Sequence, residues 1–208
     1  PILSSMMIVP RLPDFFLRFP DVSVEVVVSE RYADLVQEGL DLAIRIGHLD
    51  SSGLVARKIG SMQLATVASP GYLERHGVPS TPSDLGTHQL LANRHLGAIS
   101  DWYFANSEQD IVSPVGGRFS GNSPADMHAA VLAGLGIVQS ARVLFEAELR
   151  AGRVIEVLAD FVADPFPIHV LYASPRIPHR VRVMSDFIQQ CLDEQPSLRL
   201  QQPYSFGE

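Results

Sequence analysis

The sequence predicts an α/β fold, because helical and strand periodicities alternate along almost all of its 208 residues. Apolar residues make up 46% of the chain and charged residues 19%, a balance that allows a buried core and argues against disorder. Glycine and proline stand at many of the joints between periodic segments. These three observations indicate one large α/β domain or two small α/β lobes.

The N-terminal part reads as a helix, a strand, a short helix and three more strands. Pro10 and Pro13 lie inside the first helical pattern, so each must occupy a first turn or a kink. Gly39 is expected to end the short helix. The predicted segments are a helix over 4–19, a strand over 22–28, a helix over 32–39, and strands over 41–46, 54–60 and 62–70.

Arg45 is the one conspicuous charge in the strand over 41–46, and Gly47 follows that strand. An arginine on an amphipathic strand is most often an edge residue in contact with solvent. Its planar guanidinium group can also bind a carboxylate with two hydrogen bonds. We expect the backbone at Gly47 to come close to another group, which favours the second interpretation.

The rest of the chain continues the alternation of helices and strands. The runs LVQEGLDLAI and AVLAGLGIVQ both pass from an apolar helix through glycine to a strand. Two similar lobes would explain this echo, but helix C-terminal glycines explain it equally well. The predicted segments are helices over 71–77, 123–136, 141–152 and 178–194, a loop with a helix over 78–88, and strands over 89–93, 110–122, 137–139, 154–158 and 166–174.

Charge and cysteine content exclude several classes of function. The formal net charge is −7 and the basic residues are scattered, which argues against a nucleic-acid surface on this chain. Cys191 is the only cysteine, so no internal disulfide can form and the chain suits a reducing compartment. The longest apolar run, 129–138, is too short to span a bilayer. We therefore expect a cytoplasmic protein without a membrane partner.

No pattern of catalytic or metal-binding residues stands out. The G-x-S-x-G elbow of serine hydrolases does not occur, and the seven histidines are spread singly, without the spacing of metal ligands. The run GLG at 134–136 follows a helix and precedes a strand, the wrong order for a dinucleotide loop. The sequence therefore predicts no enzyme activity, no catalytic residue, no metal and no cofactor.

Two predicted helix starts have the chemistry of an anion site. Ser123 suits an N-cap, Pro124 fits the first helical position, and Asp126 stands where a capping-box acid belongs. Ser4 and Ser5 stand just before the first apolar helix. Capping alone would justify these residues. A helix N-terminus also presents N–H groups and a partial positive charge, so two such starts suit a carboxylate.

An ordered series of motifs resembles the effector-binding domain of LysR-type transcriptional regulators. The run over 15–60 is similar to the pattern DLVxEGxDxAIRxGxLxDSSLVAR of a large subgroup. No single motif is decisive, but the ordered series is highly specific and covers roughly residues 1 to 192. The further matches are ASPGYLERHGVPSTPSDLGTHQLL, the aromatic residues at 102–104, SGNSPADMHAAVLAGLGI, LRAGRVIEVL and PHRVRVMSDFI.

The resemblance implies two Rossmann-like lobes joined by two crossover strands, similar to the type 2 periplasmic binding proteins. The crossings would fall near Ala68–Pro70 and Leu171–Ser174. The family's first strand precedes the PILSS segment, so the resemblance implies either that lobe one lacks that strand or that the strand lies before Pro1. The implied division is 1–69 and 174–195 for lobe one, 70–173 for lobe two, and 196–208 for a mobile tail.

The resemblance also implies the ligand and the residues that bind it. In the family a small, often anionic effector lies between the lobes, and relatives hold its carboxylate at the turn into the first helix. We therefore expect an organic acid as effector. The implied ligand-binding residues are Ser4, Ser5, Ser29, Arg45, Ile46, Gly47, Asn122, Ser123, Gly136 and Ile137.

The implied partners follow from the same resemblance. The domain would form a homodimer, the full-length regulator a tetramer, and DNA would be bound only by a helix-turn-helix domain that lies outside this chain. A solute-binding protein of a transport system has the same architecture, and the sequence encoded upstream of Pro1 would distinguish it. An enzyme on a similar two-lobed fold is a third interpretation, which predicts turnover and clustered ionisable residues.

Overall fold

The computed structural model describes residues 1–29, 31, 34–49, 55–95, 97–107 and 110–200. The chain divides into two compact units. Unit 1 comprises Pro1–Met62 and Phe166–Glu208, and unit 2 comprises Gln63–Pro165. The chain thus passes from one unit to the other several residues before each of the two predicted crossings.

The elements of the described residues alternate as the sequence predicts. The helices are α1 (Leu12–Arg18), α2 (Pro70–His76), α3 (Pro124–Leu132), α4 (Glu146–Arg150) and α5 (His179–Asp193), with a π-helix over Leu3–Ile8 and 3-10 helices over Val9–Arg11, Pro82–Thr87, Arg142–Leu144 and Ala159–Phe161. The strands are β1 (Leu42–Ile46), β2 (Val55–Met62), β3 (Leu64–Ala68), β4 (Ala92–His95), β5 (Ala98–Ile99), β6 (Trp102–Tyr103), β7 (Ile111–Val112), β8 (Ser120–Gly121), β9 (Val138–Ala141), β10 (Ile155–Val157) and β11 (Phe166–Tyr172).

The sheet of unit 1 has the order β1–β11–β2, and both pairings are antiparallel. Ile168 and Val170 of β11 are fully buried. On the same face Tyr172 forms a hydroxyl–hydroxyl hydrogen bond of 2.7 Å with Ser185 of α5. α5 in turn packs on α1, where the rings of Phe15 and Phe187 lie 4.9 Å apart.

Proline divides the first predicted helix. One helix over 4–19 is expected, whereas the structure has a π-helix, a 3-10 helix and α1 in succession. Pro10 stands in the first turn of the 3-10 helix and Pro13 in the first turn of α1. Since proline lacks an N–H and clashes with the preceding turn, a first turn is where a helix tolerates it.

The predicted strand over 22–28 is wrong. These residues form no strand, and Val26, Val27 and Val28 are exposed. Alternation along a sequence expresses only a preference for a half-buried strand, whereas a strand forms when a neighbour pairs with its backbone groups. Among the described residues no strand pairs with this segment.

The segment over 34–39 forms one helical turn, shorter than the helix predicted over 32–39, and residues 32 and 33 lie outside the described residues. Asp34 caps its start by accepting N–H groups of the next turn. Gly39 has φ +66°, and the Leu40 N–H donates to the Leu35 carbonyl over 2.9 Å, the pattern of a Schellman motif.

The same motif ends α3, which confirms the local echo in the sequence. Gly134 has φ +72°, and the Leu135 N–H donates to the Ala130 carbonyl over 3.1 Å. Each unit therefore contains a helical turn, a left-handed glycine and a strand in that order. Helix C-termini use this geometry widely, so it says nothing by itself about function.

Unit 2 is built on the antiparallel sheet β10–β3–β9. The buried Gln139 of β9 links this sheet to β6. Its amide oxygen accepts the Tyr103 N–H over 2.8 Å, and its amide nitrogen donates to the Tyr103 carbonyl over 2.9 Å. One apolar cluster in the core of this unit comprises Ala68, Tyr72, Leu73, Leu85, Leu90, Trp102, Phe104, Val112, Ile137, Val157 and Leu158.

Part of the tail that was expected to be mobile packs against β2. Leu198 is fully buried, and its carbonyl accepts the Ser61 N–H over 3.0 Å. The Ser61 hydroxyl donates to the Arg199 carbonyl over 2.6 Å. Gly60 permits this approach, since a Cβ there would lie 2.6 Å from the Leu198 oxygen. Residues 201–208 lie outside the described residues.

Candidate functional site

Ser4 and Ser5 lie within the first helix rather than just before it. The π-helix begins at Leu3, and its N-cap, Ile2, already has helical dihedral angles. Both hydroxyls donate to the Pro1 carbonyl over 2.9 Å, and the Ser5 N–H donates to the same carbonyl over 3.0 Å. The predicted pair of serines that caps a helix and exposes its first amides is therefore wrong in this detail.

Ser29 closes a local turn. Its hydroxyl oxygen accepts the Arg31 N–H over 3.0 Å, and the hydroxyl lies 3.2 Å from the Arg31 carbonyl, to which it donates. Ser29 itself is exposed. The side chain thus has a structural role in shaping the loop after 22–28, and its exposure leaves the predicted contact with an effector as a prediction.

Arg45, Ile46 and Gly47 form the end of β1. Side chains alternate along a strand, so Arg45 and Ile46 point to opposite faces. Gly47 has φ +110°, and its N–H donates to the Pro167 carbonyl over 2.9 Å. A Cβ at Gly47 would meet no atom of the described residues within 4 Å. Glycine is needed here for its left-handed backbone, and the expected close approach of a ligand group stays a prediction.

Ser123 is the N-cap of α3, as the sequence predicts. Its backbone is extended, and its hydroxyl accepts the Asp126 N–H over 3.3 Å. Pro124 occupies the first helical position. Asn122 precedes the cap and is exposed. This helix start joins a hydroxyl to the positive end of a helix dipole, which is a suitable environment for a carboxylate.

Gly136 and Ile137 are packed into the core of unit 2. A Cβ at Gly136 would lie 2.2 Å from the Gln89 carbonyl oxygen, so only glycine allows this approach. The Ile137 N–H donates to that carbonyl over 2.9 Å, and its side chain is fully buried. The core surrounds the Ile137 side chain, and the contact of Gly136 and Ile137 with a ligand stays a prediction.

Sequence reasoning missed a cavity of about 400 Å³ in unit 2. Beside it, the buried Tyr72 hydroxyl accepts the Gln89 N–H over 2.8 Å and lies 3.2 Å from His88 Nδ1. His76 stacks on the Tyr72 ring. Isolated histidines carry no motif, so no sequence signal pointed here. The cavity is lined by Pro82, Ser83, Leu85, Gly86, Thr87, His88, Gln89, Leu90, Val112, Ser113, Val115, Gly116 and Gly117.

We expect the stability of unit 2 to fall as the pH drops through about 6.5, the usual pKa of histidine. Burial, helped by repulsion from His76, lowers the pKa of His88, while Asp84 opposes this in part. His88 therefore binds a proton more readily in the unfolded chain than in the folded unit. As a result, the free energy of unfolding rises with pH in this window. Urea denaturation at a series of pH values measures the effect.

The matched variant is His88→Asn, whose amide oxygen replaces Nδ1 as acceptor for the Tyr72 hydroxyl and does not titrate. It should flatten the dependence of the unfolding free energy on pH between about 7.5 and 5.5. His76→Asn, which removes the stacked ring and its repulsion, should retain most of the slope. An unchanged slope in His88→Asn would contradict the assignment.

A buried carboxylate forms a second polar cluster in unit 2. Glu148 of α4 accepts hydrogen bonds from Arg153 over 3.0 Å and from His128 Nε2 over 3.1 Å, and the His128 ring stacks on Phe145. Burial raises the pKa of Glu148, but hydrogen bonds from Arg153 and His128 outweigh it and leave that pKa below its ordinary value. The cluster holds α3 against α4.

Neither a metal centre nor a membrane span emerges from the part of the chain that the structure describes. Within it, no group of three or more histidine, cysteine or acidic side chains could hold a metal ion. No helix there is long and apolar enough to cross a membrane. Cys191 is buried, and burial raises the pKa of its thiol. Its environment favours packing over reactivity.

Several curated proteins are similar to this chain over most of its length. It is 32% identical over 197 residues to the uncharacterized HTH-type transcriptional regulator YhjC of Escherichia coli, a match that covers 93% of this chain and 66% of YhjC. It is 31% identical to the HTH-type transcriptional regulator CrgA of Neisseria meningitidis, covering 88% of this chain and 61% of CrgA. The chain thus spans less than two thirds of the length of these relatives.

Solved structures of LysR-type regulators have the same fold. The CrgA regulatory domain from Neisseria meningitidis matches with a TM-score of 0.79 at 30% identity, covering 91% of this chain and 93% of that one. The full-length Vibrio cholerae virulence activator AphB matches with a TM-score of 0.77 at 32% identity, covering 90% of this chain and 64% of AphB. The sequence model of the family LysR substrate binding domain matches residues 1–193 of this chain. This chain belongs to the LysR substrate-binding-domain family and has its two-lobed, periplasmic-binding-protein-like fold.

Proposed function

We propose that this chain is the part of a cytoplasmic transcription regulator that senses a small anionic effector, most simply an organic acid. The observation that carries the proposal is the start of α3, where Ser123 caps a helix whose positive end suits a carboxylate. Arg45, at the end of β1, is a cation that we also propose to contact the effector. The names of the relatives favour regulation over solute transport.

The proposed mechanism makes and breaks no covalent bond. An effector that binds one arrangement of the regulator more tightly than another shifts the population toward the first. The shift can be no larger than the difference between the two binding free energies. DNA-binding domains outside these residues would convert this shift in population into a change in DNA binding. The domain described here would assemble as a homodimer, within a tetramer of the full-length regulator.

A thermal-shift screen against small organic acids, amino acids and sugars tests the proposal. A binding acid at a hundredfold excess over its Kd should add about 2.7 kcal/mol to the stability of the folded chain. Ser123→Ala and Arg45→Ala should each reduce that gain, because each removes a group proposed to bind the anion. Ser123→Ala also removes a cap and should itself cost about 1 kcal/mol.

Thr81→Ala is the matched control for the lost cap. Thr81 and Asp84 form a reciprocal capping box at the start of the 3-10 helix over Pro82–Thr87, in the same unit as Ser123. This variant should lose a similar amount of stability and keep the full gain from the acid. An acid whose affinity is equal in wild type, Ser123→Ala and Arg45→Ala would contradict the proposed site.

A further inference from the structure

One face of the unit 1 sheet carries a line of three basic side chains. In the antiparallel register Arg45 of β1 lies opposite His169 of β11, and His169 lies opposite Lys58 of β2. Residues directly opposite each other on adjacent strands point to the same face, with Cβ atoms about 5 Å apart. We call Arg45, His169 and Lys58 the basic row.

A β-bulge puts Lys58 on this face. The register passes from Ile168 opposite Gly60 to His169 opposite Lys58, so Ile59 is the extra residue on β2, and it is fully buried. Bulges of this kind re-aim side chains and are frequent beside functional sites. The bulge thus places Lys58 beside His169.

The neighbouring cation, Arg57, points the other way. Arg57 lies opposite the buried Val170, and on that face it donates to Ser185 over 2.8 Å and to Asp186 of α5 over 3.0 Å. Two successive basic residues of β2 therefore have different roles. The arginine is paired with α5, and the lysine is turned away from it.

Two of the three side chains of the basic row, Lys58 and His169, have little charge compensation among the described residues of unit 1. Among the described residues, neither Lys58 nor His169 takes part in an ion pair. Nδ1 of His169 is buried and has no hydrogen-bond partner there. Burial, followed by repulsion from Lys58, lowers the pKa of His169, although a hydrogen bond with the Gly47 backbone opposes this. Lys58, directly opposite His169, therefore favours the neutral form of the imidazole unless an anion joins the two side chains.

We propose that the basic row binds a small oxyanion, a carboxylate or a phosphate group, through Lys58 and His169 together with Arg45. The inference deepens the proposed function, on which it rests for the nature of the ligand, since it adds Lys58 and His169 to Arg45 as groups that bind an anion. The Lys58 ammonium and the protonated His169 Nδ1 both donate charge-assisted hydrogen bonds to an oxyanion.

Lys58 is the only lysine among the 208 residues, which gives a site-specific probe. Reductive methylation with ¹³C-formaldehyde keeps its charge and produces one lysine side-chain signal. Titration with inorganic phosphate and, separately, with succinate should shift this signal to saturation. The two titrations distinguish a phosphate group from a carboxylate as the preferred ligand.

Variants then assign the contact. Lys58→Met and His169→Gln should each weaken binding of the preferred ion, measured by calorimetry, by about tenfold or more, as expected for a lost charge-assisted hydrogen bond. Wild-type affinity should rise as the pH falls below about 6.5, the ordinary pKa of histidine, because an anion binds the protonated form of His169, which burial, Lys58 and His48 disfavour in the free protein. His169→Gln should remove that rise. Lys58→Met should melt no lower than wild type, because Lys58 takes part in no ion pair among the described residues.

Arg18→Gln is the control for net charge, since this exposed arginine lies on α1 of the same unit. The affinity of this variant for the preferred ion should stay within about twofold of wild type. A Lys58 signal that neither ion shifts, or equal affinity in wild type, Lys58→Met and His169→Gln, would overturn the basic row. An acid whose binding is lost in Ser123→Ala but unchanged in both row variants would overturn the row and leave the proposed function standing. Phosphate binding at the row together with no response to any acid would support the row and count against an organic-acid effector.

Discussion

Replacing Gly136 by alanine should destabilise unit 2 by about 4 kcal/mol or more, among the largest effects of a single substitution. The new Cβ would lie 2.2 Å from the Gln89 carbonyl oxygen and 3.0 Å from its carbon. That carbonyl accepts the Ile137 N–H, and the Ile137 carbonyl accepts the Leu91 N–H over 2.8 Å. Neither the new Cβ nor the Gln89 carbonyl can move by a side-chain rotation, so the clash cannot be relieved in that way. The two backbone segments that these hydrogen bonds join must therefore separate.

Trp102 makes the measurement specific to unit 2. It is the only tryptophan of the chain and is buried in the core of that unit, so its fluorescence during urea denaturation reports the unfolding there. Gly71→Ala is the matched control, because a Cβ at Gly71 within α2 would meet no atom within 4 Å in the part of the chain that the structure describes. Alanine should stabilise this helix by about 0.5–1 kcal/mol. Equal unfolding midpoints for Gly136→Ala and wild type would contradict the close backbone approach.

Replacing Phe15 by alanine should destabilise unit 1 by about 3–5 kcal/mol. Phe15 of α1 is fully buried, and its ring lies 4.9 Å from that of Phe187, 5.0 Å from that of Phe19 and 5.9 Å from that of Phe16. Truncation removes the apolar contacts and leaves a cavity between α1 and α5, which the surrounding rings can fill only in part. Circular dichroism at 222 nm during denaturation follows the loss.

Leu17→Ala is the control on the same helix. Leu17 is 83% exposed, so its truncation should change the unfolding free energy by no more than about 0.5 kcal/mol. Alanine is also a slightly better helix former than leucine, so the comparison isolates burial from helix propensity. If both variants lost the same stability, the packing of α1 against α5 through Phe15 would be wrong.

Local features were well predicted from the sequence because they depend on residues a few positions apart. The N-cap at Ser123, the prolines in first turns and the glycine ends at Gly39 and Gly134 are all short-range geometry. The closing helix α5 was predicted from its apolar periodicity. The resemblance added the family and the two-lobed fold, which the comparisons confirm.

The errors concern features that depend on distant residues. The segment over 22–28 has the alternation of a strand, but no strand among the described residues pairs with it. Gly47 and Gly136 are both glycines beside strands, yet one is required by a positive φ and the other by the Gln89 carbonyl. Only the three-dimensional neighbours of each glycine distinguish these two causes.

By itself the sequence determined the α/β class, the helix caps and, through the ordered motifs, the family of this protein. The tertiary structure alone decided that Ile137 belongs to the core and that Arg45, His169 and Lys58 share one face of a sheet. Arg45, Lys58 and His169 are far apart in the chain, and the bulge at Ile59 determines on which face of the sheet Lys58 lies. Strand register and burial arise from pairing between distant segments, which periodicity along a single segment does not encode.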